Sequence, residues 1–132
     1  MGLFKNMFGS GTEPVKRENE FAVNWNALTD VDQISKIIEA SKTKPQLIFK
    51  HSTRCGISRM VLKNFELDFK FDAATFDLHY IDLLNYREIS TQIATTFDVM
   101  HQSPQLLILK NGVVVKHDSH SAINEIDLNQ YV

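Results

Sequence analysis

Cys55 is the only cysteine among the 132 residues, and it is the side chain with the most chemistry to offer. A single cysteine excludes an internal disulfide, so the thiol is either an inert small hydrophobe in a core or a reactive group. Its neighbours favour the reactive reading. The polar quartet His51-Ser52-Thr53-Arg54 runs straight into it and makes burial awkward. Beyond it Ile57, Val61, Phe65 and Phe69 recur every four residues, and Arg59, Lys63, Glu66 and Lys70 take the other face. That is the pattern of an amphipathic helix with Cys55 at its start. Unpaired N–H groups and the positive end of the helix dipole favour a thiolate in such a place. Arg54 adds a cation directly before the cysteine, and Ser58 is placed to offer its hydroxyl to the sulfur.

Ser103-Pro104 is the second feature, directly before the apolar run Gln105–Lys110. Proline cannot donate to a central strand, so it belongs at a strand's first residues or in a special turn. Spacing alone does not choose between a trans proline that merely begins the strand and a cis one that turns the chain sharply. His51, His101, His117 and His120 show no recognisable ligand spacing with one another or with Cys55, and no metal site is expected. Trp25 reads as a packing residue.

A scaffold for these residues is legible around them. A strand is expected at Phe21–Trp25 and a helix after Thr29, whose Thr29-Asp30-Val31-Asp32 has capping-box character. Val31, Ile34, Ile37, Ile38 and Ser41 keep helical spacing. Leu47–Phe49 is a buried-strand run and Leu78–Asp82 another strand. Asn85 with Glu88 can cap a third helix along Tyr86, Ile89, Ile93 and Phe97. Gln105–Lys110 and Val113–Lys116 are joined by Asn111-Gly112, a strong hairpin signal. A short helix, capped by Asn124, closes the chain. Alternating strands and helices require a parallel sheet with crossovers, and the hairpin adds antiparallel strands. The expected class is therefore α/β, a mixed central β-sheet flanked by helices, over residues 20–132, with a flexible N-terminal tail over 1–19.

Composition bounds the function. A hydrophobic fraction of 43%, a charged fraction of 23% and a net charge of −2 are ordinary for one globular domain. With lysines and arginines scattered, no nucleic-acid partner is expected. No run approaches a membrane span, and Met1–Gly9 lacks the apolar core and cleavage site of a secretory signal and the serine or threonine of a myristoylation pattern. No membrane partner is expected, and a reducing cytoplasm suits the free thiol.

Strand, Cys-x-x-Ser on a helix start, then a proline before a hairpin resembles the thioredoxin superfamily. Within it the chain is similar to the monothiol bacilliredoxins, also called the YtxJ family. The likeness is carried by Phe49-Lys50-His51-Ser52-Thr53-Arg54-Cys55-Gly56-Ile57-Ser58, Ser103-Pro104-Gln105, Asn111-Gly112 and Ser119-His120, and runs from about Trp25 to about Ile123. The resemblance implies a thioredoxin-like fold, a cis Pro104 beside the cysteine, and a thiol-disulfide oxidoreductase. In it Cys55 would be catalytic, Arg54, Gly56 and Ser58 supporting, and Ser103, Pro104, Ser119 and His120 substrate-binding. It further implies S-thiolated client proteins as partners and no tightly bound cofactor, with bacillithiol or another low-molecular-weight thiol as co-substrate. No residue excludes coenzyme A, cysteine or glutathione. Gly56 departs from the family's best-known form, which has proline there, and frees an amide N–H at the helix start. Two other readings stay open. Cys55-Gly56-Ile57-Ser58 also resembles the C-G-F-S of monothiol glutaredoxins, which hold an iron–sulfur cluster with glutathione, although Thr53 stands where their proline would. A thioredoxin-like docking module without turnover is the other.

Overall fold

A computed structural model describes residues 23–132. The expected tail over 1–19, and Phe21 and Ala22 of the expected first strand, lie outside them. The described elements are β1 (Trp25–Ala27), α1 (Asp32–Ala40), β2 (Gln46–His51), α2 (Gly56–Asp68), β3 (Asp77–Asp82), α3 (Arg87–Phe97), β4 (Gln105–Lys110) and β5 (Val113–Ser119). Two 3-10 turns, His120–Glu125 and Leu128–Tyr131, follow. The five strands form one sheet in the order β1-β3-β2-β4-β5. β3 runs parallel to β1 and β2, and β4 runs antiparallel to β2 and β5. This is the mixed, helix-flanked sheet that the alternating pattern requires.

β2 lies at the centre and all six of its residues are buried. Strand alternation sends Ile48 to one face, against α1 and α3 with Ile34, Ile37, Ile81, Ile93 and Leu107. It sends Leu47 and Phe49 to the other, against α2 with Val61, Phe65 and Phe69. Trp25 stacks edge-on to Phe49 at 5.8 Å and packs on Phe65 at 5.9 Å, the packing role expected of it. Burying an aromatic side chain of this kind contributes about 2–3 kcal/mol. α2 is thus anchored on this face of the sheet through Val61, Phe65 and, at its C-cap, Phe69, and the Asn124 side chain donates to the Val61 carbonyl at 3.2 Å.

Several local expectations are corrected. Described strand pairing starts at Trp25 and runs to Ala27 rather than ending at Trp25. The cap of α1 is Asp30, whose Oδ1 accepts from the Asp32 N–H at 2.8 Å, while the Gln33 side chain reaches back to the N–H groups of Thr29 and Asp30. The box is therefore one residue later than the threonine suggests. Asn85 does not cap α3, whose N-cap is Tyr86 with no side-chain bond; the Asn85 Nδ2 instead donates to Asp82 Oδ2 at 2.7 Å. Asn124 sits inside the first 3-10 turn rather than capping a helix, and Asp127 caps the second through the Asn129 N–H. β5 runs on to Ser119, three residues beyond the expected end. The hairpin turn is as expected, with positive φ at Asn111 (54°) and Gly112 (85°).

Candidate functional site

Cys55 stands where β2 hands over to α2. The Cys55 N–H closes a turn onto the Ser52 carbonyl at 3.1 Å, and the Cys55 carbonyl takes the first helical bond, from Arg59 N–H at 3.0 Å. Cys55 is the N-cap of α2, extended at φ −98° and ψ 121°, and its side chain makes no capping hydrogen bond. The thiol is half-buried. A sulfur in this position faces the first-turn N–H groups that have no intrahelical acceptor. Arg59 straps the loop from below, its Nη1 donating to the Thr53 carbonyl at 3.1 Å. Arg54 and Gly56 are exposed beside the thiol. Ile57 is 56% exposed although it continues the helix stripe, because the first turn of α2 has no core beneath it.

Ser58 does something other than expected. Its hydroxyl makes no hydrogen bond with the sulfur; it lies fully buried, 2.7 Å from His51 Nδ1, and accepts the Ser52 N–H at 3.1 Å. Burial holds the His51 imidazole below its ordinary pKa, with Asp82 pulling the other way, so the ring is neutral at pH 7. His51 and Ser58 together tie the end of β2, the loop and the first turn of α2 into one unit. Sequence reasoning named Ser58 for the wrong bond and left His51 as an unassigned histidine.

The sheet register assembles the remaining candidates at the same end. Gln105 pairs with Lys50 on one side and Ser119 on the other. Pro104 therefore follows in the next row beside His51, and His120 flanks Pro104 on its other side. The Ser103–Pro104 bond is cis. The His120 N–H donates to the Pro104 carbonyl at 3.0 Å, and His120 takes a left-handed φ of 57°, which folds the chain over the sheet end. Pro104 is buried, Ser103 and Ser119 are half-buried, and His120 is exposed. All four expected binding residues thus share one end of the sheet with Cys55.

A polar group that the sequence reading missed lies on the opposite face of that end. Lys50 is fully buried, and its Nζ is 3.3 Å from His101 Nδ1, which is also 3.1 Å from Ser90 Oγ. Burial lowers the Lys50 ammonium to a pKa of about 8. His101 is held down by burial first and then by the neighbouring charges of Lys50 and Arg87. As an ammonium Lys50 can only donate, so the neutral His101 ring accepts at Nδ1 and carries its proton on Nε2. The available signal was a lysine inside a run that is otherwise apolar. Among the described residues no cluster of three metal-ligating side chains occurs, and no helix is long and apolar enough to cross a membrane.

A family model described as monothiol bacilliredoxin BrxC matches residues 26–128. Among solved structures, a proposed oxidoreductase with a thioredoxin fold is 31% identical, with a TM-score of 0.64 over 79% of this chain and 89% of its own. Thioredoxin from Trypanosoma brucei brucei is 17% identical, with a TM-score of 0.63 over 85% of this chain and 90% of its own. Schistosoma mansoni thioredoxin is 19% identical, with a TM-score of 0.61 over 80% and 96%. The last two likenesses show the thioredoxin fold.

Proposed function

The chain belongs to the monothiol bacilliredoxin family of thiol redox proteins on the thioredoxin fold, and from that premise we propose that Cys55 removes a low-molecular-weight thiol, bacillithiol in the first instance, from mixed disulfides on client proteins. The observation that carries the reading is the pairing of Cys55 with Ser58. The only cysteine stands uncapped and half-buried at the start of α2, and the position one turn on holds a buried hydroxyl tied to His51.

The Cys55 thiolate attacks the small-thiol sulfur of the mixed disulfide. The bond between client and small thiol breaks, a bond between Cys55 and the small thiol forms, and the client leaves as a thiolate that takes a proton from solvent. One disulfide replaces another. Ser58 cannot resolve the adduct, because a hydroxyl does not exchange with disulfides at neutral pH. A second small thiolate must therefore attack the bound small thiol, giving its symmetric disulfide and restoring the Cys55 thiolate. Ser103, Pro104, Ser119 and His120, at the same end of the sheet as Cys55, are the residues that client and small thiol would meet.

The test is to mix the reduced chain with a bacillithiolated client and follow intact mass. The expected result is one small thiol bound per chain, stable until free thiol or a dithiol reductant is added. Disappearance of the adduct at the same rate with no thiol added overturns the monothiol mechanism. A brown purified protein carrying iron and sulfide would replace it with cluster binding.

A further inference from the structure

A cleft of about 390 Å³ opens between the start of α3 and the Ser103–Pro104 turn, lined by Ser52, Leu83, Arg87, Ser90, His101 and Ser103 among others. We propose that this cleft is an anion subsite, receiving a carboxylate of the small thiol that Cys55 exchanges; the assignment rests on the exchange reading above.

Its charge balance points to an anion. Lys50 is 0% exposed, and no carboxylate pairs with it or with Arg87 among the described residues. Lysine is almost never fully buried without a partner, because taking an ammonium out of water costs several kcal/mol. Here the nearest partner is the neutral His101 ring, which itself feels only positive neighbours, Lys50 and Arg87. Arg87 and His101 line the cleft, and Lys50, which does not line it, lies buried directly behind the His101 ring; none of the three is paired with an acid among the described residues. The hydroxyls of Ser52, Ser90 and Ser103 add neutral donors around the same space. A carboxylate entering there would gain charge-assisted hydrogen bonds from Arg87 and a hydrogen bond from His101 Nε2–H, and would offset the Lys50 charge from across the His101 ring.

Position ties the cleft to the thiol. Ser52 lines it, and the Cys55 N–H closes a turn on the Ser52 carbonyl, which keeps the two Cα atoms within about 7 Å. Ser103, at the other wall, precedes the cis proline. A small molecule with a thiol and a carboxylate a few bonds apart spans the distance from sulfur to cleft. A neutral thiol of the same size fills the space without answering its charge.

Titration of the isotope-labelled reduced chain with succinate, and separately with neutral succinamide, reads the cleft without any exchange step. Succinate should shift the amides of Ser52, Ser90, His101 and Ser103 and saturate, succinamide should not, and Arg87→Gln should weaken the succinate response about tenfold or more. Shifts that fail to saturate, or that survive Arg87→Gln unchanged, overturn the subsite. Exchange is then measured with dithiodipropionate, which is anionic, and with hydroxyethyl disulfide, which is neutral. The ratio of the two rates should fall about tenfold in Arg87→Gln and stay at the wild-type value in Lys63→Gln, on the exposed face of α2. An unchanged ratio in Arg87→Gln overturns the link between cleft and thiol. A chain that exchanges with neither disulfide removes the exchange reading, while the succinate titration still decides the cleft.

Discussion

β2 buries a polar side chain near each of its ends, and the two ends are treated differently. At the first, Gln46 donates to Asp77 Oδ2 at 2.8 Å and to the Lys44 carbonyl at 3.0 Å, and its Oε1 accepts from His79 Nε2 at 2.8 Å. Lys44 completes the set with a 2.8 Å salt bridge to Asp77. Every Gln46 group has a partner, and the positive charge meets a negative one. At the other end Lys50 has no acid, and the buried Gln105 Oε1 has no partner among the described residues. The Cys55 side chain caps nothing. Buried polar groups in folded proteins are ordinarily satisfied, so an end left open asks for an explanation. The closed end holds the fold together. On the exchange reading proposed above, the open end is where a ligand and a client would bind.

Cys55→Ser should give the largest effect and bear on one end alone. Exchange with a thiolated client should be lost entirely, while stability in urea should hold or rise by up to about 1 kcal/mol, since serine is a preferred N-cap and the thiol it replaces makes no capping bond. Residual exchange in this variant would remove Cys55 as the reacting group. Next comes Lys50→Met. Lys50 titrates near 8 in the folded chain and near about 10.4 when unfolded. Between those values the unfolded chain holds more protons, so wild-type stability should rise as pH climbs from about 8 to about 10.4 and be lowest below that window. Methionine fills similar volume without the charge. At pH 7 it should stabilise by up to about 3 kcal/mol, and its stability should lack that rise. Parallel pH profiles for the two proteins would show that the buried ammonium carries no uncompensated cost.

Gln46→Met puts the same side chain at the closed end of the same strand, and there the sign should reverse. The substitution leaves the His79 Nε2–H without its acceptor and Asp77 with one donor fewer. A buried donor left unpaired costs about 1–3 kcal/mol. Exchange should be unaffected, because nothing at that end reaches Cys55. A stabilised Gln46→Met would mean that the network at the first end is no better satisfied than the one at the second.

Much of this contrast was legible in one dimension and part of it was not. Periodicity exposed the strands around Ile48, Leu78 and Leu107 and the helices packed on them, and Asn111-Gly112 fixed the hairpin. Helix starts were misread by a residue or two, because Asp30 and Asn85 compete for local hydrogen bonds that the pattern does not rank. Cys55 was readable because local chemistry marks it, a lone thiol between a polar quartet and an amphipathic helix. Ser103, Pro104, Ser119 and His120 were named through a resemblance, and the register of β2, β4 and β5 is what brings them to one end. Lys50 and His101 were invisible as a pair. They are 51 positions apart, and only a finished sheet with α3 packed on it brings them together. Ser58 was found and misassigned, since its spacing from Cys55 is local while its bond to His51 needs β2 in place.

Gly56 gives the smallest effect and the finest resolution of the open end. Its backbone is helical rather than left-handed, and a Cβ built there would meet nothing nearer than Arg59 Nη2 at 3.9 Å. The fold does not require glycine at this position. Gly56→Ala should therefore stabilise by about 0.4–1 kcal/mol, mostly by restricting the unfolded chain. Gly56→Pro should be tolerated as well, because the first helical position suits proline and its N–H has no intrahelical acceptor to lose. The two variants differ at the sulfur. Alanine keeps the first-turn N–H beside Cys55, and proline deletes it. A donor at a helix start contributes about 0.3–1 kcal/mol to a nearby negative charge, about two- to fivefold in thiolate population, of which about half is offset in rate because a less stabilised thiolate is the better nucleophile. Exchange by Gly56→Pro should be slower than by Gly56→Ala by up to about twofold where the thiol is mostly protonated, with equal folding stability. Equal rates would mean that the Gly56 N–H contributes nothing to the thiolate, leaving the Ile57 and Ser58 amides and the open cap to carry it.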